Sequence, residues 1–133
     1  MRLIRELPRV PDLLALHAAD ATRYPVLLES IASGGGGARY DLLFVSNGEY
    51  LLAQADGRLV GAHGGHGGFL EALAGWQRAI AVDPVSDDLP FHGGFALLLS
   101  YELAAEIESR LQLPRAALSL PRALAVRSPV AVL

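Results

Sequence analysis

The sequence predicts an α+β fold built on antiparallel strands with flanking helices, and three observations carry that expectation. Short apolar runs recur between Gly, Pro, Asn and Asp punctuation, the pattern of strands joined by turns. Two of the junctions, Asn47-Gly48 and Asp56-Gly57, carry the dipeptides that close tight hairpins. Only one long stretch, residues 69–80, sustains the helical spacing of apolar side chains. The 133 residues suit one domain, 1–133, large enough to bury a core without disulfides or a structural metal.

Along the chain, Leu3-Ile4-Arg5-Glu6-Leu7 predicts a short strand stopped by Pro8 and Pro11. Asp12 is then placed to cap a helix of two or three turns through Leu13-Leu14-Ala15-Leu16-His17. Val26-Leu27-Leu28-Glu29-Ser30 reads as a largely buried strand because it is short and apolar. Tyr40 to Val45, the Ser46-Asn47-Gly48-Glu49 turn and Tyr50 to Gln54 predict an antiparallel hairpin, and Arg58 to Ala62 adds a third strand beyond Ala55-Asp56-Gly57. The apolar positions 69, 70, 73, 76 and 80 predict the clearest helix, from Phe69 to Ile80, with an acidic, proline-bounded loop following at 83–90. Phe95-Ala96-Leu97-Leu98-Leu99-Ser100-Tyr101 reads as another buried strand, with Leu97, Leu99 and Trp76 expected in the core; Glu102 to Ile107 reads as a short helix. Leu124 to Leu133 is strand-like to its last residue, which predicts the front part of a longer protein.

Composition narrows the function. The chain has no cysteine, which excludes a disulfide framework, a thiolate nucleophile and a zinc site built on sulfur. Eleven Lys and Arg against 14 Asp and Glu leave a formal charge of -3, without the basic stripe that nucleic acid requires. The opening residues do not form a signal peptide and no apolar run approaches the roughly 20 residues that span a bilayer. A cytoplasmic protein with neither nucleic acid nor membrane as partner is expected. With glycine counted as apolar and tyrosine not, about 60% of the residues are apolar, against about 45–50% in typical domains. Two explanations stay open: an alanine- and leucine-rich composition, or an apolar face covered by a partner or by further chain.

Few residues offer chemistry. His63 and His66 stand among glycines with no nearby carboxylate or cysteine to complete a metal site, so a structural loop is the expectation there. His17 and His92 have no adjacent partner that marks a catalytic dyad. Gly34 to Gly37 lack both the Lys-Ser/Thr of a phosphate loop and the spaced glycines of a dinucleotide site. What remains is the Glu29-Ser30 pair before that glycine tract and the Arg39-Tyr40 pair after it. On extended backbone neighbouring side chains point to opposite faces, so one polar group from each side of the loop can converge on a small pocket.

Several segments together resemble the N-terminal region of the chorismate-utilising synthases, anthranilate synthase component I and aminodeoxychorismate synthase component I. They are Arg23-Tyr24-Pro25-Val26-Leu27-Leu28-Glu29-Ser30, Arg39-Tyr40-Asp41-Leu42-Leu43, the run from Phe91-His92-Gly93-Gly94 through Ser100-Tyr101-Glu102-Leu103 to Glu108, and Pro121-Arg122-Ala123-Leu124-Ala125. The resemblance covers nearly the whole chain in order, and the Arg-Tyr-Asp and Gly-Gly-Phe segments are closer to the aminodeoxychorismate branch. It implies the N-terminal portion of the anthranilate synthase component I-like fold. It also implies a parent enzyme that aminates chorismate to 4-amino-4-deoxychorismate for 4-aminobenzoate and folate, using magnesium and ammonia from a glutamine amidotransferase partner. The family's catalytic and metal-binding residues lie in a C-terminal chorismate-binding domain, so no catalytic residue and no cofactor is expected within these 133 residues. What the resemblance assigns here is part of a tryptophan pocket, formed by Glu29, Ser30, Gly37, Ala38, Arg39 and Tyr40. The glycine tract departs from the family, whose members carry larger residues there, an aromatic at the position of Gly37 among them; glycine removes contacts and adds ordering cost. Two alternatives remain: the regulatory domain of anthranilate synthase component I, and a free-standing amino-acid-binding module.

Overall fold

Asp12 stands immediately before the first helix, and its side chain accepts a hydrogen bond from Ala15 N at 2.9 Å, the capping arrangement that satisfies an otherwise unpaired first-turn donor. In the computed structural model, which describes residues 3–30, 40–62, 67–81, 88–114 and 120–133, that helix, α1, runs over Leu13–Ala19. At its far end His17 Nδ1 donates to the Tyr24 carbonyl at 2.6 Å, tying the helix to the segment that enters β1, Val26–Leu28.

The protein is α+β, with two antiparallel sheets and three helices among the described residues. The remaining elements are β2 (Leu42–Val45), β3 (Tyr50–Ala53), β4 (Leu59–Gly61), α2 (Phe69–Ala79), β5 (Gly94–Leu99), a 3-10 turn at Tyr101–Leu103 leading into α3 (Ala104–Ile107), β6 (Ala123–Ser128) and β7 (Val130–Val132). The smaller sheet has the order β1-β2-β7 and the larger the order β4-β3-β6-β5.

The Asn47-Gly48 segment does not close the expected hairpin. β2 and β3 lie in different sheets, and each finds its partner at the other end of the chain: Val45 pairs with Val130, and Tyr50 with Val126. Residues 46–49 on one side therefore oppose residues 127–129 on the other, one residue more, which is a bulge at a shared corner where two long strands pass from one sheet into the next. Gly48 supplies a φ of 87° there, and Ser128 closes the corner. Its hydroxyl, fully buried, lies 3.1 Å from both the Val45 and the Val130 carbonyl oxygens. The final strand is accordingly two strands, β6 and β7, bent at Pro129. The Asp56-Gly57 turn does form as expected, with Gly57 at φ 88° and β3 paired to β4.

The core sits between α2 and one face of the larger sheet. Phe69, Trp76, Leu51, Ala53, Leu103, Ala123 and Ala125 are buried together. Trp76 meets Phe95 edge-on, with ring centroids 4.7 Å apart at 66°. Such a contact adds about 0.5–1.5 kcal/mol to the area term. The small side chains Ala53 of β3 and Ala123 and Ala125 of β6 share this core with bulky Trp76.

Three further expectations are corrected. Residues 3–7 form no strand: Leu3, Ile4 and Leu7 are exposed and no described strand pairs with them. β1 is shorter and less buried than its composition suggested, Leu28 being half exposed. β5 is an edge strand, and Leu97, Leu98 and Leu99 are 51%, 51% and 52% exposed, so Leu97 and Leu99 are not core as Trp76 is. Continuous apolar character signals burial on both faces only for a central strand, and the sequence does not say which strand is central. The loop at 82–87 and His63 to His66 lie outside the described residues.

Candidate functional site

The candidate site begins where the β1–β2 ladder ends. Leu28 pairs with Leu42, and the same register carried two residues further sets Ser30 opposite Tyr40. The ladder is extended by a side chain: Ser30 N donates to Asp41 Oδ1 at 2.8 Å. The carboxylate thus holds together the two chain ends that flank residues 31–39.

Alternation along the strands separates the four polar residues. Leu27 pairs with fully buried Leu43, so Glu29 and Asp41 follow the face of that pair. Carried past the ladder, the same alternation assigns Ser30 and Tyr40 to the face of half-exposed Leu28 and half-buried Leu42. Tyr40 is half-buried, while Glu29, Ser30 and Asp41 are exposed. The ladder itself ends at Leu28 and Leu42, and the bond that joins the two segments beyond it is that from Ser30 N to Asp41 Oδ1. Gly37, Ala38 and Arg39 lie outside the described residues. Close by, Arg23 sits 5.8 Å from the Tyr24 ring centroid, and the Arg23 carbonyl accepts from Ser46 N at 2.8 Å, fixing the entry to β1 against the exit from β2.

Two polar arrangements elsewhere escaped sequence reasoning. Arg127 is half-buried at the corner between the sheets. Its Nη1 donates to the carbonyls of Gly94 at 2.7 Å and Ser128 at 3.1 Å, and its guanidinium carbon lies 5.5 Å from the Phe95 ring centroid. Desolvation lowers its pKa from the ordinary arginine value, and the nearby Glu49 carboxylate opposes that shift. Its bonds run to backbone carbonyls, so it braces the corner. Glu106 of α3 reaches 37 residues back to the start of α2, accepting from Phe69 N at 3.0 Å and Leu70 N at 3.1 Å. Gly68, the residue before α2, has no capping side chain, and a Cβ on it would lie 2.7 Å from Glu106 Oε2. An uncapped helix start with glycine before it was the available signal; which distant carboxylate would fill the place was not.

Magnesium, implied by the resemblance for the catalytic portion, has no fitting donor set here: no cluster of three His, Cys, Asp or Glu side chains able to hold a metal occurs among the described residues. No described helix is long and apolar enough to cross a membrane. Comparison with known protein families and with curated proteins finds no match to this sequence.

Proposed function

We propose that this chain is the N-terminal domain of an aminodeoxychorismate synthase component I, with the anthranilate synthase component I-like fold. The parent enzyme aminates chorismate to 4-amino-4-deoxychorismate, with a C-terminal chorismate-binding domain supplying the catalytic residues and the magnesium site, and a glutamine amidotransferase supplying ammonia. In this reading the present domain contributes scaffold and one wall of a tryptophan-type pocket. The observation that supports it is the Ser30 N to Asp41 Oδ1 bond, which joins the end of the Leu-Leu-Glu-Ser segment to the Asp41 of the Arg-Tyr-Asp segment; the Ser30 hydroxyl and the Tyr40 ring are proposed to face the ligand together. A hydroxyl and an aromatic surface suit an amino acid with a flat side chain, which needs polar anchoring at one end and stacking at the other. Arg39, next to Tyr40 in sequence, is the proposed partner of the ligand carboxylate.

Calorimetric titration of tryptophan into the parent enzyme tests this pocket. Ser30→Ala and Arg39→Ala should each weaken binding about tenfold, the loss of one hydrogen bond to a charged group. Unchanged titrations of both variants would remove the pocket from the reading.

A further inference from the structure

Asn47 is the only asparagine in the chain, and it stands before Gly48 at the corner where β2 of one sheet gives way to β3 of the other. Asparagine is a chemically labile residue, because the nitrogen of the next peptide unit can attack its side-chain carbonyl carbon and close a ring. In a folded protein that attack is suppressed where the nitrogen belongs to a helix or a ladder, or where tertiary packing fixes the side chain.

Neither restraint acts at this corner. β2 ends at Val45 and β3 begins at Tyr50, so Gly48 N lies outside both ladders and donates instead to Ser46 Oγ at 3.0 Å. Gly48 takes a φ of 87°, and nothing lies within 4 Å of the place where a Cβ would stand, so the residue that supplies the attacking nitrogen has open space beside it. Asn47 and Gly48 are both exposed. Among the described residues, both side-chain hydrogen bonds of Asn47 go to Glu49, within the same turn: Oδ1 accepts from Glu49 N at 3.1 Å, and Nδ2 donates to the Glu49 carboxylate. Water replaces such exposed bonds at little cost when the side chain turns toward Gly48 N. The first of them also sets a backbone donor on the oxygen where negative charge gathers when the carbonyl carbon is attacked.

We propose that Asn47 is a self-modification site: in the folded chain Gly48 N closes on Asn47 Cγ to form a succinimide, which water then opens to aspartate and isoaspartate. The bond formed is Gly48 N to Asn47 Cγ, and the bond broken is Asn47 Cγ to Nδ2. The proton of Gly48 N passes to solvent, with the Ser46 hydroxyl as its first acceptor, and solvent returns one proton to Nδ2, which leaves as ammonia. One water adds to either ring carbonyl, and no oxidation or reduction takes place. The site lies at the joint between the sheets, and the inference goes beyond the proposed function without depending on it.

The product acts on the joint. Where Nδ2 donates to the Glu49 carboxylate, both products set a second carboxylate against it, and attraction becomes repulsion. Isoaspartate also lengthens the main chain by one carbon between Val45 and Tyr50, whose partners Val130 and Val126 hold them in register. The same turn is tied to β6 through Arg127 N, which donates to the Glu49 carbonyl at 2.9 Å, so the added length falls on the link between the sheets.

The test holds the chain at neutral pH beside the same chain unfolded in urea and a free peptide of the sequence Val-Ser-Asn-Gly-Glu-Tyr. Peptide mapping by mass spectrometry follows the amide-to-acid mass gain at Asn47, chromatography separates the aspartyl from the isoaspartyl form, and released ammonia is assayed in parallel. The folded chain should react within about tenfold of the free peptide, since only exposed hydrogen bonds are given up. Reaction that required unfolding would instead run slower than in urea by the unfolding equilibrium constant, about a thousandfold or more at ordinary domain stability. A folded-chain rate no greater than the urea rate multiplied by the measured unfolded fraction would overturn the inference. Asn47→Gln, which cannot close the same ring, should show no mass gain in this peptide over the same period; an equal gain would place the reaction elsewhere. The reacted fraction should unfold at a lower urea midpoint than fresh chain, and an unchanged midpoint would overturn the effect on the joint.

Discussion

Replacing Glu106 with alanine tests how far the two short C-terminal turns at 101–107 hold the rest of the core. Glu106 accepts from two amides that α2 cannot satisfy itself, Phe69 N at 3.0 Å and Leu70 N at 3.1 Å. The two bonds are not equivalent. Leu70 N is exposed and turns to water when the carboxylate is lost, at little cost, whereas Phe69 N lies against the buried Phe69 side chain in a partly buried place. A donor stranded there costs about 1–3 kcal/mol. The negative charge at the helix start is worth about 0.3–1 kcal/mol more. Glu106→Ala should therefore destabilise the fold by about 2–3 kcal/mol, a fall in Tm of roughly 8–12 °C for a domain of this size. Glu106→Gln keeps one carbonyl acceptor and should lose about half as much. Urea denaturation followed by far-UV circular dichroism reads both. An unfolding free energy for Glu106→Ala within about 0.5 kcal/mol of the parent, the range of ordinary surface substitutions, would show that the carboxylate does not cap α2.

Trp76 and Leu97 should separate sharply in the same assay: Trp76→Ala, at 2% exposure, costs about 3–5 kcal/mol, while Leu97→Ala, at 51% exposure, costs about 1 kcal/mol or less, and similar losses for the two would contradict the edge position of β5. Ser128→Ala removes the single hydroxyl proton shared between the Val45 and Val130 carbonyl oxygens at the corner and should cost about 1–3 kcal/mol, seen as a lower urea midpoint with an unchanged slope; a neutral result would mean that the bulge holds without the hydroxyl. Gly48→Ala forces a Cβ onto a backbone at φ 87° and should lower stability by about 1–3 kcal/mol although nothing lies within 4 Å of that Cβ, so an unaffected melting curve would show that the corner can change its turn.

The α+β class was legible because its signals are local. Asp12 caps α1, the spacing from Phe69 to Ile80 makes α2, and Asp56-Gly57 turns β3 into β4, each decided by a few adjacent residues. The Asn47-Gly48 segment looked like the same kind of signal and gave another outcome. A tight-turn dipeptide fixes a change of backbone direction, but whether the strands on either side pair with each other depends on competing partners, and here β6 and β7, about 80 residues away, take both. Burial of the leucines in β5 misread for a related reason: three adjacent leucines say apolar, while strand order across the sheet decides what covers them. At the candidate site, Ser30 and Tyr40 came from alternation and from the resemblance, and the ladder of β1 and β2 stops at Leu28 and Leu42, short of both. The carboxylate that holds Ser30 N, that of Asp41, was visible only as the third residue of the Arg-Tyr-Asp segment, because a bond from a side chain to a backbone amide 11 residues earlier leaves no periodic trace.

The measurement closest to the central proposal is product identification. The polypeptide of which this chain is the proposed N-terminal domain is supplied with chorismate, magnesium and ammonia, beside the 133-residue chain alone and with tryptophan added. The account predicts 4-amino-4-deoxychorismate from the long form, none from the short one, and no inhibition by tryptophan. Anthranilate formation blocked by tryptophan would contradict it and make the Ser30–Tyr40 face a feedback site; no amination of chorismate by the long form would set the whole family reading aside.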